Sequence, residues 1–364
     1  MEFGVWHLEL TVNETKSARY HRAKRRAGAV SLLWGIVLLG GMAWLRPSLP
    51  IWVYVLGLAA MHETVVLPVA FYRTFVLERR YELSNEPFST WLYDHLKAFA
   101  IAMALAVVAA EGVYALIRWM PNYWWAAAAV AATAVTVALA RLAPIILLPM
   151  FYRFTPLQQP DLTERLVSLS KRAGVPVLGV FEWGLGAKTK RANAALVGFG
   201  ATRRILLSDT LLAEYTADEI EVILAHELGH HVHYDIPKGL AMEFAVLLVS
   251  FYTASKAFAA VGIAGPGDAA GLPILLLALG AVSLLATPVL HAVSRLNERR
   301  ADRFALALTA GHDAFITAMR RLGSQNLIEE KPSRRTVWLF HTHPPVEDRI
   351  AAARADAGLK SCAT

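Results

Sequence analysis

Six long blocks of the sequence consist almost entirely of apolar residues, and polar residues are concentrated between them. A bilayer core about 30 Å thick needs around 20 mostly apolar residues, because a helix rises about 1.5 Å per residue. The blocks of sufficient length are Ala27–Leu45, Ile51–Phe71, Phe99–Ile117, Tyr123–Met150, Leu240–Val261 and Leu272–His291. The pattern therefore predicts a mainly α-helical, multi-pass membrane protein with six spans.

Lysine and arginine are distributed unevenly over the connections between these blocks. The residues that precede the first block include Lys16, Arg19, Arg22, Lys24, Arg25 and Arg26. The alternate links carry only Arg46, only Arg118, and no Lys or Arg at all. Because Lys and Arg accumulate in cytoplasmic loops, the N-terminus and segment 153–238 are expected in the cytoplasm. The expected location is a prokaryotic inner membrane, or the endoplasmic reticulum membrane in a eukaryote.

The composition agrees with a membrane protein and limits its chemistry. The chain has 364 residues, of which 56% are apolar and 18% are charged, below the roughly 25% charged content of soluble domains. A single cysteine, Cys362, excludes an intrachain disulfide and a cysteine-based zinc site. The formal charge of +7 accompanies no nucleic-acid-binding motif. Lipid headgroups, and not nucleic acid, are the expected partners of the N-terminal basic cluster.

The longest polar stretch, 152–237, combines helix and strand patterns. A helical repeat covers Leu162–Ala173 and ends at Gly174, a residue suited to a helix C-terminus. Short apolar runs predict strands at Val175–Trp183, Ala194–Phe199 and Arg203–Ser208, the last two as a hairpin. This stretch is expected to form an α+β unit on the cytoplasmic side.

A helix with a metal-binding pattern follows the predicted hairpin. Thr216 and Glu219 have the spacing of a capping box, and Pro237 is expected to close the helix. His226 and His230 are four residues apart, so both imidazoles face the same side and can bind one ion. Between them, Glu227 can reach the attacking water. The pattern predicts one Zn²⁺ per chain, with Glu227 as the general base.

A catalytic zinc site needs a third protein ligand and an open position. Glu298, shortly after the last apolar block, is the candidate ligand. Asp302, one helical turn later, is expected to accept a hydrogen bond from a ligand imidazole. Neighbouring arginines would also suit a solvated charged face. The two histidines, however, need a third ligand, and this need favours Glu298.

The remaining histidines carry weaker signals. His231 and His233 lie off the ligand face and are interpreted as polar residues at the helix end. His291 is interpreted as a packing residue at the membrane interface. His62 and Glu63 lack a second histidine at the required spacing, so they are interpreted as packed or paired polar residues within a span.

Near the C-terminus, His343 and Arg349 are suitable donors for the oxyanion of amide hydrolysis. The chain is accordingly divided into four parts. Residues 1–150 hold the N-terminal basic segment and four spans, and 151–237 the catalytic strands and zinc helix. Residues 238–294 hold two spans, and 295–364 a helical part that supplies the third ligand and the His and Arg residues.

These motifs resemble the CAAX prenyl protease 1 family of integral-membrane zinc metallopeptidases, whose relatives include HtpX-type membrane proteases. The resemblance rests on Thr216–His230, on Glu298–Asp302 and on His343 with Arg349, and it extends from about Tyr72 to Ile350. It implies helices that enclose a large chamber, and a zincin-like α+β cap that carries the His-Glu-x-x-His helix. The family usually has seven spans, whereas six are counted here.

The resemblance also implies roles for residues outside the zinc motif. The family's Asn-Ala-aromatic element corresponds to Asn193, Ala194 and Ala195, without the aromatic residue. A peptide substrate is expected to add as a strand along Asn193–Phe199. His343 and Arg349 match a pair thought to support the oxyanion and the substrate.

The leading hypothesis is a membrane zinc metalloendopeptidase that removes a C-terminal tripeptide from prenylated CaaX substrates. A broad-specificity quality-control protease of bacterial type is an alternative, and so is an intramembrane site-2-type protease. The acidic residues just before His226 argue against the last of these, because they favour an aqueous helix. A transporter or receptor with a structural zinc site is the non-enzymatic alternative, and a fourth protein ligand would favour it. The sequence does not define the oligomeric state.

Overall fold

The computed structural model describes residues 15–46, 49–198, 200–263 and 268–358. Phe199, where a predicted strand ends, and Cys362 lie outside these ranges. The described part is mostly helical. Its helices are α1 (Lys16–Leu45), α2 (Ile51–Phe71), α3 (Leu77–Arg80), α4 (Phe88–Trp119), α5 (Trp124–Leu142), α6 (Pro160–Arg172), α7 (Asp209–Glu214), α8 (Ala217–Val232), α9 (Asp235–Val261), α10 (Leu272–Thr309), α11 (His312–Gln325), α12 (Arg334–Phe340) and α13 (Val346–Asp356).

Six helical stretches in the described ranges are long and apolar enough to cross a membrane. They contain α1, α2 with α3, α4, α5, α9 and α10. A π-helical turn, Tyr72–Val76, joins α2 to α3, and Ala143–Leu147 continues α5 in the same way. Prolines inside or next to these stretches, such as Pro144, limit regular α-helical hydrogen bonding. The predicted multi-pass helical fold is confirmed.

Several helices extend beyond the apolar blocks that predicted them. Helix α1 begins at Lys16, not Ala27, and α4 begins at Phe88, not Phe99. Helix α10 continues past His291 to Thr309. Hydropathy detects only the part of a helix that suits lipid, whereas backbone hydrogen bonds continue into polar sequence. The division between residues 294 and 295 therefore falls inside one continuous helix.

A small sheet lies on the polar side of the chain. Its strands are β1 (Phe154–Pro156), β2 (Gly179–Trp183), β3 (Ala194–Val197) and β4 (Arg204–Ser208), in the order β1-β2-β4-β3. Strands β2 and β4 are parallel, and the other two pairs are antiparallel. The predicted hairpin of β3 and β4 is confirmed, and β1 was not predicted. Strand β2 begins later than expected because Pro176 cannot donate a ladder hydrogen bond.

The core of the α+β unit joins this sheet to the helices that carry the site. Leu166 of α6, Ile205 and Leu207 of β4, and Leu224 of α8 are 0–1% exposed and share one hydrophobic cluster. Apolar burial of this kind contributes about 25 cal/mol per Å². A separate cluster between the membrane helices includes Tyr54 of α2, Tyr114 of α4 and residues of α5, α9 and α10. The site-bearing helix is therefore anchored from the sheet side.

Both ends of α8 are defined by local sequence. The Thr216 hydroxyl accepts from the backbone N–H of Glu219, whose carboxylate accepts in return from the Thr216 N–H, so the predicted capping box is confirmed. The prediction that Pro237 closes this helix was wrong. Helix α8 ends at Val232, Tyr234 takes a left-handed conformation with φ of 57°, and α9 begins at Asp235. Pro237 lies in the first turn of α9, where its missing N–H leaves no hydrogen bond unmade.

Candidate metal centre

Three potential ligand residues converge between α8 and α10. His226 Nε2 lies 3.2 Å from His230 Nε2 and 3.3 Å from Glu298 Oε2. His230 Nε2 lies 3.4 Å from Glu298 Oε1. The two histidines are on one face of α8, and Glu298 extends from the C-terminal half of α10. In the described part of the chain, these three residues form a group that can hold a metal ion.

Two aspartates orient the imidazoles. His226 Nδ1 is 2.8 Å from Asp302 Oδ1, and His230 Nδ1 is 2.9 Å from Asp235 Oδ2. When the rings are neutral, each Nδ1–H donates to its carboxylate and each Nε2 presents a lone pair to the centre. Two lone pairs and a buried carboxylate then face one another within 3.4 Å. Such an arrangement is stable only with positive charge between them.

The surrounding carboxylates favour that positive charge. Burial lowers the pKa of His226, but hydrogen bonds with Asp302 and Glu298 outweigh burial and raise it to about 9. Asp302 and Glu298 are themselves 7% and 5% exposed. Because the carboxylates are shielded from water, they attract either protons on the imidazoles or a bound cation.

The spacing of these ligand atoms fits zinc. Zinc binds histidine nitrogen at about 2.0–2.1 Å and carboxylate oxygen at about 2.0–2.2 Å in a tetrahedron. Ligand atoms of such a tetrahedron are roughly 3.3–3.5 Å apart by simple geometry. The three measured separations, 3.2, 3.3 and 3.4 Å, lie within or just below that range. Two imidazoles and one carboxylate also leave one tetrahedral position for water or substrate.

Glu227 is placed for proton transfer. Its side chain lines a cavity of about 1290 Å³ that His226 also borders. Burial raises the pKa of Glu227, while His226 and His230 act in the opposite direction. A carboxylate with a raised pKa accepts a proton more readily at neutral pH.

His343 and Arg349 reach the same site, but their surroundings differ. His343 is largely exposed on the cavity side, and its Nδ1 lies 2.8 Å from Glu298 Oε2. Arg349 donates from Nε and Nη2 to Asp302, at 2.8 and 2.5 Å. Because Asp302 pairs with His226, Arg349 positions this ligand histidine through Asp302. A contact of Arg349 with the substrate stays a prediction.

Asn193 and Ala194 lie at another wall of the same cavity. Ala194 begins β3, which is an outer strand of the sheet. Asn193 precedes the strand, and its backbone N–H donates to Ser208 Oγ at 2.9 Å. The structure therefore brings the outer strand of the sheet and the ligand residue His226 to one cavity.

Sequence reasoning did not identify Asp235. Asp235 follows Tyr234, whose left-handed conformation turns the chain back toward His230. The five-residue spacing between His230 and Asp235 does not by itself indicate this contact. His233 and Glu63 make packing and pairing contacts. The ring of His233 contacts Phe304, 5.8 Å away between centroids, and Glu63 pairs with His95 Nε2 at 2.6 Å. His291 borders the cavity without joining the ligand cluster.

Comparisons with known proteins agree with this geometry. Residues 156–357 match the model of peptidase family M48, and residues 13–153 match that of the CAAX prenyl protease N-terminal domain, described as five membrane helices. The described part of residues 13–153 contains four stretches long enough to cross a membrane.

Individual relatives span most of the chain. The Bacillus subtilis metalloprotease YhfN is 28% identical, over 89% of this chain and 80% of that protein. The probable CAAX prenyl protease 1 of Schizosaccharomyces pombe is 27% identical, over 82% of this chain and 65% of that protein. The crystal structure of S. mikatae Ste24p has a similar fold, with a TM-score of 0.80 and 21% identity, over 93% of this chain and 87% of that one.

Proposed function

Because this chain belongs to peptidase family M48 and is an integral-membrane metalloprotease, we propose that it is a zinc endopeptidase whose ion is held by His226, His230 and Glu298. The observation that carries this proposal is the convergence of three ligand residues, whose ligand atoms are 3.2–3.4 Å apart. The described cluster contains no fourth ligand residue. An open coordination position is typical of catalytic zinc sites and argues against a purely structural site.

The residues around the cluster divide the chemistry between them. Zinc in such a site supplies Lewis acidity for the scissile carbonyl and for the attacking water. Glu227 accepts the proton of that water and passes it to the leaving amine. Its raised pKa favours the first of these transfers, from water to the carboxylate.

The same proposal assigns the remaining site residues. Asp302 and Asp235 fix the tautomers of the two ligand imidazoles, and Arg349 fixes Asp302. His343, exposed to the cavity, donates to the oxyanion. The edge of β3 near Asn193 and Ala194 holds the peptide through backbone hydrogen bonds.

For the substrate, we propose a peptide or protein cleaved near its C-terminus, with prenylated CaaX sequences as the leading class. Relatives named CAAX prenyl protease 1 support this class. A second candidate is a broader membrane-protein endopeptidase without a prenyl requirement. Similarity to a bacterial metalloprotease over 89% of the chain supports that candidate.

We also propose the sidedness that the Lys and Arg distribution favours, with the N-terminus and the catalytic segment in the cytoplasm. A prokaryotic inner membrane is the proposed location. The basic N-terminal part of α1 would then contact anionic lipid headgroups.

The experiment that tests the substrate class uses detergent-purified protein and two quenched-fluorescence peptides. Both carry the same CaaX sequence, and only one is farnesylated. Cleavage that requires the farnesyl group supports the CAAX protease activity, whereas equal kcat/KM for both peptides supports the broader endopeptidase. Failure to cleave either peptide, at full zinc occupancy, contradicts the proposed peptidase activity.

A further inference from the structure

Strand β3 is an outer strand, but several backbone groups along its free edge, and just before it, already have partners. Ser208 N–H donates to the Asn193 carbonyl at 2.9 Å, and Asn193 N–H donates to Ser208 Oγ. Asn193 therefore faces β4. Since the backbone direction alternates along an extended strand, Ala192, Ala194 and Leu196 face the free edge.

Side chains occupy the free edge on both sides of Ala194. Ala192 N–H donates to Asn326 Oδ1, and the Ala192 carbonyl accepts from Asn326 Nδ2, both at 3.1 Å. The His231 ring is directed at the Leu196 carbonyl. Of these three edge residues, only Ala194 keeps both its N–H and its carbonyl for another chain, and the Leu196 N–H stays available beside it.

The backbone upstream of Ala192 is occupied as well. Lys190 N–H donates to the Leu83 carbonyl at 3.0 Å, and Asn85 N–H donates to the Lys188 carbonyl at 3.2 Å. A peptide at this edge consequently cannot continue as a strand past Ala192. Its hydrogen bonding is limited to Ala194 and the Leu196 N–H.

Antiparallel pairing suits an edge at which one residue, Ala194, offers both of its backbone groups. In an antiparallel pair, one residue exchanges both hydrogen bonds with one partner, whereas a parallel pair divides them between two residues. An antiparallel peptide directs its C-terminal side toward Ala192 and Asn326. Successive edge positions are about 7 Å apart, so Asn326 blocks the strand roughly two residues beyond Ala194.

The cavity is positively charged at that same end. Lys24, Arg73 and Arg191 all line it. Glu78 is the carboxylate that pairs with Lys24, at 3.0 Å, and with Arg191, at 2.9 Å. The buried hydroxyl of Tyr20 joins both cations to Glu78. Three cations against one carboxylate leave two positive charges for a ligand.

Arg73 is the most available of the three cations. It lies on the π-helical turn Tyr72–Val76 that follows α2, a type of distortion frequent at functional sites. Among the described residues, no carboxylate or hydrogen-bond acceptor pairs with its guanidinium. The positive charges of Arg73 and Arg191 both repel that of Lys24. A negative group placed between them would relieve this repulsion.

We infer that this end of the cavity is a binding site for the C-terminal carboxylate of the peptide substrate. Asn326 ends the added strand, and Arg73, with Lys24 and Arg191, binds the carboxylate. The enzyme thus acts within a few residues of a free C-terminus. This inference rests on the proposed peptidase function and adds the substrate group that this site recognises, the C-terminal carboxylate.

A binding experiment tests the carboxylate site without turnover. The Glu227→Gln protein, loaded with zinc, is titrated against two N-terminally labelled peptides that end in a carboxylate or in a carboxamide. We expect the carboxylate to bind roughly tenfold more tightly, in line with charge-assisted hydrogen bonds. Arg73→Gln should abolish this preference. Arg118→Gln, at the end of α4 and outside the cavity lining, is the matched control and should retain it.

A cleavage experiment tests the role of Asn326. Wild-type protein should cleave peptides whose C-terminus is extended by two, four or eight residues with a lower kcat/KM than the unextended peptide. The Asn326→Ala variant should recover part of this loss. Equal binding of carboxylate and amide peptides, or equal cleavage of normal and extended peptides, overturns the inference while leaving the peptidase intact. If wild-type protein cleaves no peptide, the proposed function fails instead, and the binding preference still decides whether the carboxylate site exists.

Discussion

Gly229 of α8 and Ala301 of α10 lie in close contact. A Cβ atom added at Gly229 would lie 3.0 Å from the Ala301 Cα atom and 3.2 Å from the Phe304 ring. Backbone atoms cannot move aside as a flexible side chain can. The absence of a side chain at Gly229 therefore sets the distance between the helix with the two histidines and the helix with Glu298.

Gly229→Ala should separate these helices. We expect overpacking to lower stability by about 1–3 kcal/mol and to weaken metal binding, because Glu298 moves away from the histidines. Gly239→Ala is the control, since a Cβ atom there meets nothing within 4 Å. Thermal unfolding and metal content of both variants test this prediction. Normal metal content in Gly229→Ala would show that the close contact does not hold the site together.

Asp302→Asn and Asp235→Asn should each weaken metal binding by about 10–100-fold. These carboxylates accept from the Nδ1 atoms of the ligand histidines and fix their tautomers. Competition with a chromophoric chelator measures the affinity. Asp218 is an exposed position on α8, the helix that carries the two ligand histidines. The Asp218→Asn variant should bind metal like the wild type. A loss equal in all three variants would point to a general effect of charge.

Glu227→Gln should keep the metal and lose activity. The amide cannot take a proton from water, so we expect kcat to fall by about 10²–10⁴-fold. Metal content and peptide cleavage are measured on the same preparation. Substantial remaining cleavage at full metal content would mean that another group accepts the proton.

Tyr234 should tolerate glycine better than valine. Its φ of 57° is left-handed, and its side chain is 69% exposed. Glycine adopts this conformation readily, whereas a β-branched residue is strained there by about 1–2 kcal/mol. Thermal unfolding should therefore place Tyr234→Gly near the wild type and Tyr234→Val below it. Equal destabilisation by both would show that the tyrosine side chain matters more than the turn.

Sequence reasoning succeeded where the determining interactions are local. The apolar blocks predicted the membrane helices, and the Thr216–Glu219 capping box predicted the start of α8, because both patterns act within a few residues. Glu298 was selected by the ligand count of a zinc site, and α10 does place it beside the two histidines.

Features that depend on distant contacts were not predicted. Asp235 returns to His230 only because the chain reverses at Tyr234. Asn326 reaches Ala192 from a helix end far along the chain. The continuity of α10 was also missed, because hydropathy falls at the polar half of the helix although the backbone continues unchanged. Such relationships follow from tertiary packing, which the local pattern does not encode.

The central claim is that His226, His230 and Glu298 bind one catalytic zinc ion. The most direct measurement is zinc per chain by elemental analysis of purified wild-type and Glu298→Gln protein, after equilibration with a fixed free-zinc concentration. Glu63→Gln, which removes a membrane-helix carboxylate paired with His95, is the control. We predict one zinc ion in the wild type and in Glu63→Gln, and a much lower content in Glu298→Gln. Full zinc occupancy in Glu298→Gln would contradict the account.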